Sequence, residues 1–242
     1  MIYVTSDIHG KFECLKKLLE SAGFSDKDWL FIIGDVIDRN GDGGVELLKW
    51  LLVQPNVQLI LGNHENFLLS NRWLFEEIND ESVEDFDKDN LARLSSWQSN
   101  GGDVTINSLS AETAETRQDI LDYLDDCPLF ETVSVNGRKY VLVHGGLGNF
   151  SKTKSLTDYT PSELLWSRPS LYTEYSPDEY TVIVGHTPTL AYSEKYKNRM
   201  IKADSFWNID TGAAMEEGRP MLLCLDTLKE YYLTEDGKVI GG

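Results

Sequence analysis

The sequence predicts an α/β protein in which two sheets pack together with helices outside, and three observations predict it. In the first third, short β-branched apolar runs alternate with stretches of helical spacing, the pattern of βα units. After Pro128 strand-like runs follow one another with few helices between. Five apolar runs also stop abruptly at Asp, Asn or His, and in α/β folds ligands gather at the carboxyl ends of such strands.

The first run is Tyr3-Val4-Thr5, followed by Lys11 to Ala22 with Phe12, Leu15, Leu18, Leu19 and Ala22 at helical spacing and Gly23 as its stop. Trp29 to Ile33 reads as the second strand, Val45 to Val53 as a helix, Val57 to Leu61 as the third strand and Phe67 to Ile78 as a further helix. From Glu76 to Asp89 acidic residues accumulate with Lys88 the only base, which reads as a solvated face. Leu91, Leu94 and Trp97 resume helical spacing, and Glu112 to Asp126 forms another acidic helix with Ile120, Leu121 and Leu124 inside. Residues 76–127 thus read as an inserted acidic helical subdomain over the site, within one domain spanning 1–242. Glu131 to Val135 and Tyr140 to Val143 flank Asn136-Gly137, a hairpin turn. Thr181 to Val184, Trp207 to Ile209, Met221 to Leu225 and Glu230 to Leu233 are the remaining strands. No internal repeat is evident.

Bulk properties narrow the function. A net charge of −18 over 242 residues argues against gripping nucleic-acid backbone, which needs clustered Lys and Arg. Cys14, Cys127 and Cys224 are odd in number and widely spaced, which fits reduced thiols. The chain opens directly on a strand without an apolar leader, and no run approaches a membrane span, so the expectation is a cytoplasmic protein with no membrane partner.

The four histidines, His9, His64, His144 and His186, each sit just past one of the apolar runs. With Asp7, Asp35 and Asn63 they suit borderline divalent ions such as manganese, iron or zinc, whereas calcium would want oxygen alone. These ligand candidates exceed what one four-coordinate zinc needs, so two ions are expected, bridged by Asp35. The Gly-rich Asn40-Gly41-Asp42-Gly43-Gly44 lacks the Lys and Ser/Thr of a phosphate cradle and reads as a turn into the next helix.

Asp7-Ile8-His9, Gly34-Asp35-Val36-Ile37-Asp38-Arg39, Gly62-Asn63-His64-Glu65, His144-Gly145 and Gly185-His186, in that order, resemble the phosphoprotein phosphatase family of binuclear metallophosphoesterases. The nearest branch is the bacterial and phage one, typified by the bacteriophage lambda protein phosphatase. Trp97-Gln98-Ser99-Asn100-Gly101-Gly102, Leu165-Trp166-Ser167-Arg168, Gly185-His186-Thr187-Pro188 and Ile209-Asp210-Thr211-Gly212-Ala213 extend the resemblance over nearly the whole chain. It implies a four-layer αββα metallophosphoesterase sandwich. By the same resemblance Asp7, His9 and Asp35 hold one ion, and Asp35, Asn63, His144 and His186 the other, manganese being the first choice. It further implies that hydroxide between the ions attacks phosphorus directly, that His64 oriented by Asp38 protonates the leaving group, and that Arg39 and Arg168 clamp the phosphoryl oxygens.

The implied activity is hydrolysis of phosphoserine and phosphothreonine in proteins, with a phosphoprotein as partner. A second possibility is a dinucleoside polyphosphate hydrolase, a related family that also carries Leu-Gly-Asn-His and Gly-His-Thr-Pro. Leu61 favours it, since many protein phosphatases place an additional Arg there. The acidic insert and the Trp97 and Trp166 motifs favour the phosphatase. A third possibility, an inactive phosphatase-like scaffold, conflicts with retention of every ligand and of the acid.

Overall fold

The apolar runs form strands buried on both faces, which is why they read as continuous rather than alternating. The structure, a computed structural model, describes residues 1–76, 88–176 and 178–241. In the first sheet β1 (Ile2–Thr5), β2 (Trp29–Ile33) and β3 (Val57–Ile60) run parallel. Beyond β1 the sheet continues antiparallel through β9 (Met221–Cys224), β10 (Glu230–Leu233) and β11 (Val239–Gly241). The second sheet has the order β4-β5-β6-β8-β7, with β4 (Phe130–Val135), β5 (Arg138–Val143), β6 (Thr181–Val184), β7 (Ile201–Lys202) and β8 (Phe206–Asn208). Its β5, β6 and β8 are parallel.

A period of two, hidden in the sequence by apolar residues on both faces, is visible in the core. Tyr3, Leu30, Ile32 and Leu59 face a helical layer that contributes Leu15, Leu18, Leu47 and Leu48. Their neighbours Val4, Phe31, Ile33 and Ile60 meet Val133, Tyr140, Leu142 and Ile183 of the second sheet. Val141, Val143, Val182 and Val184 point the other way, under Leu147, Tyr159, Leu164 and Tyr175. The result is the expected αββα order, with a thin fourth layer of loops and one short helix.

The helices are α1 (Phe12–Ala22), α2 (Val45–Leu51), α3 (Asn63–Ser70), α4 (Lys88–Ser99), α5 (Asp103–Ser110), α6 (Ala114–Asp125) and α7 (Pro161–Leu165). Gly23 stops α1 in the left-handed region at φ 70°, with Phe24 N–H returning to the Leu19 carbonyl. Asn136 and Gly137, at φ 50° and 78°, make the expected hairpin turn. Asp42 caps the entry to α2 by accepting the N–H groups of Gly44 and Glu46.

Three differences from the sequence expectation are informative. Helix α3 begins at Asn63, not Phe67, because Glu65 at its third position reaches back to the Gly62 N–H at 3.0 Å, so the ligand motif is itself the first helical turn. Beyond Ser70 the chain tightens into a 3₁₀ turn over Arg72–Phe75, and most of the acidic run 76–89 lies outside the described residues. Helix α5 follows its Gly-Gly turn without a sequence signal of its own, and the edge strands β7 and β11 are too short to read. Among the described residues no helix is long and apolar enough to cross a membrane.

Candidate active site

Parallel strands deliver their carboxyl ends to one edge of each sheet, and the two edges meet. Asp7 and His9 follow β1, Asp35 follows β2, Asn63 and His64 follow β3, His144 follows β5 and His186 follows β6. All seven are buried. Leaving a strand this sharply needs left-handed backbone, and Asp7, His9, Asp35, Asp38, Arg39 and His186 all have φ between 45° and 72°. Six of the ten non-glycine residues in that region among those described are therefore at this one place, where strain is concentrated. Gly34, at φ 71°, allows the closest approach: a Cβ there would lie 2.5 Å from Gly62 Cα and 2.6 Å from His144 Nδ1.

Backbone carbonyls aim two of the imidazoles. His9 Nδ1 lies 2.8 Å from the Ile37 carbonyl and His144 Nδ1 lies 3.0 Å from that of Ile33, so each donates there and turns its Nε2 inward. His144 Nε2 is then 2.9 Å from Asn63 Oδ1 and 3.3 Å from Asp35 Oδ1. His9 Nε2 is 3.7 Å from Asp35 Oδ2. Asp7 accepts the His186 N–H at 3.0 and 3.1 Å on its two oxygens, tying the ends of β1 and β6 together.

Two donor groups result, His9–Asp35–His64 and Asp35–His144–His186, each with ligand atoms within 4.8 Å of one another. Asp35 belongs to both. Divalent ions fit here on two observations: His186 Nε2 is buried without a hydrogen-bond partner, and Asp7, Asp35 and Asp210 crowd three carboxylates into one buried volume. Burial and the neighbouring Asp210 push Asp7 well above the usual carboxylate range, and burial together with Asp35 pushes Asp210 up to about 7. Burial opposes a charge on His144, yet Asp35 overcomes it and raises that imidazole to about 10. His9 and His186, desolvated with weaker compensation, fall to about 3 and stay neutral, the form that ligates metal.

His64 differs from the other imidazoles because its Nδ1 is committed to Asp38 Oδ2 at 2.6 Å. Asp38 is fully buried and is paired with His64 rather than with the adjacent Arg39. On the outer side His64 Nε2 lies 3.4 Å from Arg39 Nη2. Arg168 Nη1 donates to Thr187 Oγ1 at 2.8 Å and to the His186 carbonyl at 3.3 Å. Both guanidiniums, with Trp166 and Met215, line a cleft of about 280 Å³ floored by the donor groups. A larger cavity of about 900 Å³, among Lys197, Arg199, Glu230 and Tyr232, holds none of these donors. Leu61 is buried, gives its N–H to the Pro128 carbonyl, and lies outside the cleft lining.

Four residues without an assigned role in the sequence belong to the site. Glu65 accepts four backbone N–H groups around it; its place in the Gly62-Asn63-His64-Glu65 run was the available signal. Trp97 and Thr105 both bond the Asp38 carboxylate, the first foreshadowed by its motif and the second by nothing. Asp210, two residues past β8, lines the cleft, and its motif was the available signal.

A family model described as calcineurin-like phosphoesterase matches residues 1–210. Over 70 residues the chain is 43% identical to a symmetrical bis(5'-nucleosyl)-tetraphosphatase of Buchnera aphidicola subsp. Acyrthosiphon pisum, covering 28% of this chain and 25% of that protein. Over 149 residues it is 29% identical to a protein of the same name from Chromobacterium violaceum, covering 60% and 43%. The matched stretches thus span from a quarter to under half the length of these relatives. Among solved structures, a putative diadenosine tetraphosphatase aligns over 100% of this chain and 92% of its own at TM-score 0.58 and 18% identity. A serine/threonine phosphatase of Saccharomyces cerevisiae aligns over 99% and 78% at TM-score 0.54 and 16% identity, which speaks to the fold alone.

The expected serine/threonine protein phosphatase is corrected by the tetraphosphatase names of these sequence relatives. The physical reason is visible in the site. Trp97 and Gly101 hold Asp38 and the Arg39 backbone, and Arg168 braces the His186 turn, so the motifs that favoured a phosphoprotein brace the floor of the cleft and carry no information on which substrate would enter it.

Proposed function

The chain belongs to the calcineurin-like phosphoesterase family, and from that premise we propose that it hydrolyses dinucleoside polyphosphates, cleaving diadenosine tetraphosphate symmetrically into two molecules of ADP. The observation that carries the chemistry is Asp35, shared between two donor groups at the floor of the cleft. The name of the sequence relatives supports this substrate.

In this reading Asp7, His9 and Asp35 hold one ion, Asp35, Asn63, His144 and His186 the second, and manganese is the first metal to try. When bound, two such ions lower the pKa of water and take up charge on phosphate oxygens. Arg39 and Arg168 bind the equatorial oxygens of the attacked phosphate, where a planar guanidinium makes paired contacts. His64, held at Nδ1 by Asp38, presents its Nε2 proton to the departing ADP oxygen. A scaffold without activity has no use for six strained residues and an unsatisfied imidazole in one cleft. The unpaired Cys14, Cys127 and Cys224 accord with a cytoplasmic setting.

The test supplies manganese and compares diadenosine tetraphosphate with a phosphoserine peptide, separating products by chromatography. Faster turnover of the dinucleotide, with ADP as the sole nucleotide product, is expected. AMP with ATP would overturn the symmetrical cut, and faster turnover of the peptide would overturn the substrate.

A further inference from the structure

Asp38 and Arg39 are consecutive non-glycine residues in the left-handed region, at φ 72° and 71°. Such a pair persists only where surrounding bonds over-determine it. Those bonds come from the corner between α4 and α5. Trp97 Nε1 donates to Asp38 Oδ2 at 2.8 Å, and Thr105 Oγ1 donates to Asp38 Oδ1 at 2.5 Å while accepting the Asp38 N–H at 3.0 Å. Between them, the Gly101 carbonyl accepts the Arg39 N–H at 3.1 Å. Trp97 and Thr105 are fully buried, and the Thr105 hydroxyl also lies 3.0 Å from the Gly43 carbonyl, on a glycine that packs too close to Thr105 to carry a side chain.

We infer that Trp97 and Thr105 are positioning residues that fix the Asp38 carboxylate, and through it the direction of the His64 Nε2 proton and the placement of Arg39. This rests on His64 being the proton donor, as proposed above, and not on the identity of the substrate. Asp38 has two oxygens and three side-chain donors: His64 Nδ1 and Trp97 share Oδ2, and Thr105 holds Oδ1. Without the hydroxyl, rotation about the Cβ–Cγ bond is opposed from one side only. The imidazole then follows the carboxylate off the line to the leaving oxygen. Packing against the sheet would survive, since Trp97 keeps its ring in the helical core.

The test uses Thr105→Val, which keeps shape and removes the hydroxyl, Thr105→Ser, which restores it, and Trp97→Phe. Substituted phenyl phosphates of graded leaving-group pKa are the substrates, on manganese-loaded enzyme. For Thr105→Val we expect kcat to fall ~10-fold or more on phenyl phosphate but less than ~3-fold on nitrophenyl phosphate, with KM nearly constant and Thr105→Ser close to wild type. In a His64→Asn background Thr105→Val should add no further selectivity. A second measurement needs no turnover: in zinc-loaded protein the downfield proton of the short His64–Asp38 bond, identified by its loss in His64→Asn, should move in Thr105→Val and return in Thr105→Ser. Equal losses across the phenyl series, or an unmoved proton signal, would reduce both residues to packing. A flat series in His64→Asn itself would overturn the donor assignment and this inference together, whatever the outcome on diadenosine tetraphosphate.

Discussion

Glu65 Oε2 accepts the backbone N–H of Asp35 at 2.8 Å, thirty residues earlier in the chain. The same oxygen takes the Gly62 N–H at 3.0 Å, and Oε1 takes those of Val36 and Ile37 at 2.8 and 3.3 Å. One buried carboxylate thus shapes the turn that carries Asp35, the residue common to both donor groups, and starts the helix that carries Asn63 and His64. Glu65→Gln would set an amide NH₂ against N–H donors. We expect a loss of ~2–4 kcal/mol, or roughly 5–15 °C in Tm for a chain of this size, with weaker metal retention. Thermal unfolding of the variant checks this; an unchanged Tm would refute the organising role.

A second prediction links metal binding to pH. In the metal-free chain burial disfavours a charged His144, but Asp35 prevails and lifts it to about 10, so the imidazole is protonated at neutral pH. Ligation needs the neutral ring, so binding expels that proton. Apparent affinity should rise ~tenfold per pH unit from 7 to 9, with close to one proton released per ion bound at the Asn63 side. Calorimetry in buffers of different ionisation enthalpy counts the protons. Because the folded pKa is raised, the stability His144 lends the metal-free chain is complete below the ordinary histidine value and is lost as pH climbs toward about 10, so added metal should protect most at the alkaline end.

Much of this candidate site is legible in the sequence. Ligand types stood at strand ends because parallel strands are buried runs whose carboxyl ends face one edge, and that pattern survives in one dimension. Glu65 was less legible, since three of the N–H groups that donate to it lie 28 to 30 residues away and a Glu at the third helical position reads as ordinary capping. Thr105 was illegible: a threonine within a helix gives no sign that its hydroxyl meets Asp38, 67 residues back. Substrate choice was not legible, because the strongest motifs form the donor groups and their supports, a core that related families share.

Asp35→Asn should be the most damaging single ligand change, because Asp35 stands in both donor groups. An amide is neutral and offers one carbonyl oxygen where the carboxylate offers two charged ones, so both ions that these groups would hold would lose an anionic donor. A fall of ~10³ or more in kcat is expected, with fewer than two ions retained, against a smaller loss for Asn63→Ala. Elemental analysis beside turnover decides it; two ions held at near-normal rate would exclude bridging.

The last prediction concerns what His64 is for. It falls in a donor group with His9 and Asp35, yet its Nδ1 is bound to Asp38 and its Nε2 faces Arg39. A ligand and an acid can be told apart by leaving group. An alkoxide departs poorly without a proton, whereas ADP leaves as a phosphate whose second pKa is ~6 and needs little help at neutral pH. His64→Asn should therefore cost ~10²–10⁴ on an alkyl phosphate and only ~10 on diadenosine tetraphosphate, with metal content unchanged. Asp38→Asn should show the same selectivity in weaker form, because the imidazole remains but is less well aimed. Loss of an ion in His64→Asn, with equal falls on both substrates, would make His64 a ligand in the His9 and Asp35 group, and the proton donor would have to be sought among the groups facing the leaving oxygen.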